Sequence, residues 1–523
     1  MKLDRERPFL LANFEHISIT GFLIPCGLYA QKIGLFDVFE KHLKIDMKTV
    51  KYSPIDKVIE LLVSIIAGCP DNKTINNRLV PDRLSASAWR QEQFADQSQI
   101  HILLHRVNKE NLQQLEKAYQ EIFADHSLAA RYPKNKILTV DVDMTGLPVS
   151  PTSTTYEGAE FGHMEKKKSK SKGYQFSIAY IAQEIKEVLG GVLDSGNVHC
   201  STRLPQLIQL TERRIGKPPI RRTSHMADRL KVLKENLQKI ETRVKNQQCA
   251  LYAARKSSRI GSLKRWISKN QSRIASLTAE IKEMETRYYS YLHDQHLNSG
   301  RLILIRADAG YGTAENVSYL FEAGYEFLVK GYSPKTSQKL ARDIPEELWT
   351  KINAVTQVAE ANTQYISNCP YPLRIIVGRK KIANKPIQYF HFLTTIPKTV
   401  MDARKALRYY NQRQSIEAFI KAGKIALHFR KLRVRVLPGI VFFLRIALLA
   451  YNFISWIKRD VFAGTELENV GIREFIEQVM RVPAKIDPSG DTKTTFFPED
   501  NSYARALVDS TTRKNHQLSL FGD

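Results

Sequence analysis

A long heptad pattern cuts a run of β-strands in two. Met226, Leu230, Leu233, Leu237, Ile240 and Val244 step by four and three, and the pattern lapses between Ala253 and Gly261. It resumes at Leu263, Ile267, Ile274, Leu277, Ile281, Met284 and Tyr288. Apolar residues on such a repeat form a seam along one helix. Two seams with a breaker between them predict an antiparallel helical hairpin; one unbroken coiled-coil helix is the alternative reading. Before the hairpin, residues 137–143, 174–182 and 188–193 read as strands. After it, 302–308 and 325–329 do so again, around a helix from about Glu315 to Ala323. The expectation is therefore an α/β fold with a mixed sheet and a helical insertion. Residues 350–396 alternate like antiparallel strands, and 401–429 return to a helical period.

Charge narrows the partner. Lys and Arg number 79 against 53 Asp and Glu, a formal net charge of +26. Such a surplus sets partners rather than fold, and its usual partner is a polyanion. Nucleic acid comes first and an anionic membrane surface second; a ribosomal or chromatin-coating protein is the plainest reading. The five cysteines, at 26, 69, 200, 249 and 369, include no Cys-x-x-Cys pair, which argues against a disulfide framework or zinc site. The first residues lack the apolar core of a signal peptide. Residues 439–456 are apolar enough to raise the membrane question but contain Arg445 and Asn452. A charge in mid-span is costly in lipid, so a buried helix and a cytoplasmic protein are expected.

Three acids stand out. Asp143 ends a strand, is followed by Met144-Thr145, and shares a strand face with Asp141 two residues earlier. Asp308 ends another strand, in Arg306-Ala307-Asp308-Ala309-Gly310-Tyr311-Gly312. Each alone reads more readily as a turn residue than as a metal ligand. Glu417 lies in a row with Tyr410, Arg413 and Lys424. At about 100° per residue these four project from one stripe of one helix. That stripe is too polar for a core face; a solvated face with Glu417 paired to Lys421 is the plainer alternative. Carboxylates at strand ends, joined by one from a helix, could cage hard cations for phosphoryl transfer.

Tyr410-x2-Arg413-x3-Glu417-x6-Lys424 matches the YREK signature of a large group of bacterial insertion-sequence DDE transposases. Asp143-x-Thr145 resembles their first aspartate motif, and Arg306-Ala307-Asp308-Ala309-Gly310-Tyr311 the second. The resemblance runs from about residue 136 to 455. It implies a ribonuclease-H-like core in which Asp143, Asp308 and Glu417 hold two Mg²⁺ ions, with Mn²⁺ as substitute. Water then nicks the element end, and the freed 3′-hydroxyl attacks to release the element and finally to join target DNA. Tyr410, Arg413 and Lys424 would grip phosphates near the scissile bond. Trp349, in a β-rich insertion, is a possible counterpart of the aromatic that stacks on a flipped base in relatives. The resemblance leaves Asp141 open as the ligand in place of Asp143, although the threonine spacing favours Asp143.

The expected organisation is a helical N-terminal domain over 1–130 that binds DNA, and a core built from 131–206, 298–330 and 401–460. The hairpin occupies 207–297, the β-rich insertion 331–400, and a C-terminal region with a loose tail 461–523. Lys166, Lys167, Lys168, Lys170 and Lys172 form a loop joining two strands. It reads either as a solvated loop or as a phosphate contact that orders on DNA. Expected partners are terminal inverted repeats and target DNA, with a homodimer assembled on DNA and no membrane. The alternatives are a catalytically inactive transposase-derived repressor and a nuclease that only hydrolyses.

Overall fold

The computed structural model describes residues 2–6, 17–48, 51–164, 170–294, 300–487, 494–498 and 500–514. The chain divides into two compact units: Met1–Pro133, Thr139–Ile215 and Asn411–Asp523 form the first, and Lys134–Leu138 with Gly216–Tyr410 the second.

The first unit opens with two short strands, β1 (Lys2–Glu6) and β2 (Ile17–Ser18), followed by helices up to residue 131. The helix Pro54–Ile66 shows why this stretch is helical. Pro54 starts it with φ already set, and Ser53 and Asp56 close a reciprocal capping box. It packs on the long helix Leu437–Asp460, as do the helices Gln97–Arg106 and Lys109–His126. Leu437–Asp460 is the one helix among the described residues long and apolar enough to cross a membrane, and 83% of its most apolar window is buried in the protein. Its polar residues fit that setting. Arg445 donates to the Leu112 carbonyl at 2.7 Å. The Asn452 amide pairs with both backbone groups of Val188, each at 2.8 Å, and so bonds like an added strand residue.

Val188 belongs to a group of antiparallel strands: β3 (Leu138–Pro148), β4 (Glu160–Gly162), β5 (Ser171–Ile181) and β6 (Glu187–Ser195). β5 pairs with each of the other three. Glu187, fully buried at the start of β6, accepts from the amides of Leu128 and Ala129 and from the Trp456 indole.

In the second unit, β7 (Ile303–Ala307) and β8 (Glu326–Lys330) are parallel and are joined by the helix Ala314–Glu322. β9 (Thr350–Lys351), β10 (Thr356–Glu360), β11 (Arg374–Lys380) and β12 (Gln388–Thr394) extend the sheet antiparallel, in the order β7-β8-β12-β11-β10-β9. Leu304, Leu328, Val358, Ile376 and Phe392 fill one core. Parallel and antiparallel pairs in one sheet make the mixed α/β architecture read from the sequence, compatible with a ribonuclease-H-like core.

The heptad region forms two helices, Thr223–Tyr252 and Ser257–Asp294, that turn back on each other through residues 253–256. Met226, Leu230, Leu233, Ile240 and Val244 are buried on one, and Ile267, Ile281 and Met284 on the other. Its root is tied down by ion pairs. Asp294 takes Lys217 and Arg221 at 2.6 and 3.0 Å, and Glu322 takes Arg287 at 3.2 Å.

The described residues after 484, a stretch expected to be a loose tail, form regular elements instead. The strands β13 (Ala484–Asp487) and β14 (Thr494–Pro498) join β1 and β2 in the order β1-β14-β13-β2, and the helix Ser502–Lys514 follows. Phe497 is the reason: it is fully buried, with its ring edge-on to Phe22 at 5.7 Å. The same sheet corrects the wholly helical reading of residues 1–130.

Candidate active site

Asp141 and Asp143 lie two apart on β3, opposite Tyr180 and Ile178 of β5. Burial separates them. Asp141 is completely enclosed, whereas the Asp143 side chain keeps 14% exposure. The enclosed pocket is also hostile to added charge. Burial, then the Tyr451 hydroxyl, then the Asp141 carboxylate hold the Tyr180 phenol well above its ordinary pKa.

Asp143 is gripped from two sides. Its Oδ1 accepts from the Met144 amide at 2.9 Å and from Arg413 Nη2 at 2.9 Å. Arg413 reaches the other way with Nη1, 3.3 Å from Oε1 of Glu417. One buried guanidinium thus spans two carboxylates, and Glu417, with 61% of its side chain exposed, pairs back to Arg413 rather than forward to Lys421.

The stripe predicted on a single helix is corrected here. The segment splits into the helices Ala403–Asn411 and Gln414–Ile425, with Gln412 and Arg413 between them. The second helix opens with i→i+3 bonds, Ser415 to Gln412 and Ile416 to Arg413. The Ser415 hydroxyl also donates to the Gln412 carbonyl at 3.0 Å. Such a local bond competes with the regular helical ladder. The break puts Arg413 at the N-cap and Glu417 in the first turn, where the helix dipole favours a carboxylate. Lys424 follows Glu417 by two turns on the same face, in the last turn of that helix.

Asp308 lies in the second unit, just past the carboxyl end of β7, and is half-buried. Its Oδ1 accepts from the Gly310 amide at 3.0 Å, which shapes the turn. Gly312 is required there, since a Cβ would sit 2.0 Å from the Lys330 carbonyl. Tyr410 ends the same unit with its ring 4.5 Å from that of Phe392, at the edge of the core. Sequence reasoning gave Arg306 no role of its own. Buried at 2% exposure, it donates to the Tyr409 carbonyl at 2.5 Å and lies over the Tyr409 ring. It therefore positions the helix end that carries Tyr410. An arginine closing an apolar strand was the available signal.

Of the loop lysines, Lys170 is exposed and Lys172 donates to the Ser153 carbonyl at 2.8 Å. Lys166, Lys167 and Lys168 lie outside the described residues. Trp349 is buried beneath Arg379, whose guanidinium stands 4.2 Å from the ring centre, so that face is covered.

Among the described residues, no three His, Cys, Asp or Glu side chains are gathered as a metal site. The donor chemistry nevertheless fits a hard cation. Asp143 and Glu417 offer carboxylate oxygens, the ligands such ions take, and they already converge on one positive group, the Arg413 guanidinium.

Residues 279–516 match the family model described as transposase DDE domain group 1. The span includes Asp308 and Glu417 and begins after Asp143. Comparison with curated proteins finds no match. The matched stretch, carrying two of the three singled-out acids, supports a DDE transposase.

Proposed function

We propose that the protein is an insertion-sequence transposase of the YREK group, acting in the bacterial cytoplasm. It would cut the ends of its element and join them to target DNA through Asp143, Asp308 and Glu417. The observation that carries this reading is the Arg413 guanidinium bridging Asp143 and Glu417. Residues far apart in sequence supply two acids and a phosphate-binding group to one place. The three carboxylates would hold two Mg²⁺ ions, with Mn²⁺ as substitute. When bound, such ions make water nucleophilic and stabilise charge on the attacking and leaving oxygens.

The chain's own residues orient the DNA. Arg413 presents a planar fork suited to a phosphate, and Lys424 a point charge two turns beyond Glu417. Tyr410 would flank the same strand. Lys170 and Lys172, with Lys166, Lys167 and Lys168, would contact phosphates further along, and residues 1–130 would bind the element end. A homodimer would hold both ends.

The test is strand transfer with Mg²⁺ on DNA carrying the inverted repeats that bracket the gene. Cleavage followed by joining supports the proposal. Hydrolysis without joining contradicts it in favour of a nuclease, and binding with neither contradicts it in favour of a repressor.

A further inference from the structure

The two ends of the helical hairpin differ in charge. From Thr242 to Ala279 the chain has nine Lys and Arg and no Asp or Glu. Those nine are Arg243, Lys245, Arg255, Lys256, Arg259, Lys264, Arg265, Lys269 and Arg273, and every one is exposed. At the root, residues 223–241 and 280–294 carry six basic and seven acidic residues, and the acids there are used. Arg229 pairs with Glu280 and Lys234 with Glu285. Among the described residues, none of the nine distal cations is paired with a carboxylate.

We infer that the distal half of this hairpin is an arm that lies along duplex DNA and binds its phosphates. Four observations support this. First, Arg265, Lys269 and Arg273 recur every four residues, so they form a stripe of like charge with neighbours about 6 Å apart. Like charges at that spacing destabilise an isolated helix, and a row of phosphates removes the repulsion. Second, the stripe faces away from the apolar seam, because Ile267 and its partners Ile240 and Val244 are spent on holding the two helices together. Third, the basic stretch of the second helix, residues 257–279, extends about 35 Å at about 1.5 Å per residue, close to one duplex turn of about 34 Å. Fourth, the first helix ends, next to the turn, in Tyr252 at 91% exposure, an aromatic free to stack on a base or sugar. A second copy of the chain fits this surface poorly. The seam is already consumed, and two such ends would repel.

The inference rests on the DNA-processing reading above, but its test requires no cleavage. Binding of the full-length protein to a random-sequence duplex is measured across a salt series. For Lys264→Gln/Arg265→Gln/Lys269→Gln/Arg273→Gln, affinity should fall at least about tenfold. The slope of log K against log salt should flatten by about 3 to 4, at about 0.9 for each phosphate no longer neutralised. Arg265→Lys/Arg273→Lys keeps the charge and should keep the slope, which separates an effect of charge from an effect of misfolding. Lys231→Gln/Lys282→Gln at the root should leave both quantities unchanged. Unchanged affinity and slope in the quadruple variant would overturn the arm. So would an equal loss in the root variant, or a change in oligomeric state without a change in DNA affinity. If the wild type shows the arm effect but never joins strands, the arm stands and the transposase reading falls.

Discussion

At the scale of single residues, Arg413 holds the candidate site in its present form. Its pair with Asp143 is largely out of water, with 7% and 14% of the two side chains exposed. Removing one partner of a buried pair leaves an uncompensated charge. Arg413→Ala should therefore cost about 3–5 kcal/mol of unfolding free energy in urea titration; a loss below about 1 kcal/mol, the worth of an exposed pair, contradicts the geometry. Glu60 makes the opposite kind of prediction. Burial outweighs the hydrogen bond from the Ala95 amide and pushes its carboxyl up to about 9. An unfolded glutamate ionises near about pH 4.3. The native state thus keeps a proton that the unfolded chain releases, and stability falls as pH rises from that value toward about 9. Glu60→Gln should raise Tm on the alkaline side and flatten its decline across this window. A Tm profile that superimposes on the wild type would show that Glu60 does not titrate this way. What the sequence left open at this scale was Asp141 against Asp143. Alternation puts both on one face, and only the packing of β3 shows that the first is enclosed while the second stays accessible.

At the scale of elements, periodicity carried far. The seam residues from Met226 to Met284 are the hairpin's core, and β7, the following helix and β8 fall where the pattern of residues 302–329 put them. It failed where a local side chain competes with the helical ladder, as Ser415 does at the break before Glu417. It failed again in the tail, where short strands depend on partners from the other end of the chain. The helix Leu437–Asp460 shows that hydropathy alone misleads, since Asn452 clamps it to β6 inside the protein. Asn452→Leu leaves the Val188 amide unpaired, while the Val188 carbonyl keeps the Tyr119 hydroxyl at 2.9 Å. At about 1–3 kcal/mol for a buried group left unsatisfied, the loss should be visible in urea unfolding. A variant as stable as the parent would mean that water or repacking replaces the amide.

At the scale of the whole molecule, the proposed chemistry draws its acids from three separated stretches of chain, around residues 143, 308 and 417. The order of those stretches and their element types were legible in the sequence. Their supporting residues were not, because Arg306 and the two sides of Arg413 are defined only by what they touch in the fold. The proposal requires the three acids to act as one unit, so losing any one should abolish the chemistry and spare recognition. The most direct measurement compares the wild type with Asp143→Asn, Asp308→Asn and Glu417→Gln for binding and Mg²⁺-dependent cleavage of DNA carrying the element ends. The account predicts that all three variants bind within a few-fold of the wild type and that none cuts. Cleavage by Glu417→Gln at the wild-type rate would contradict it.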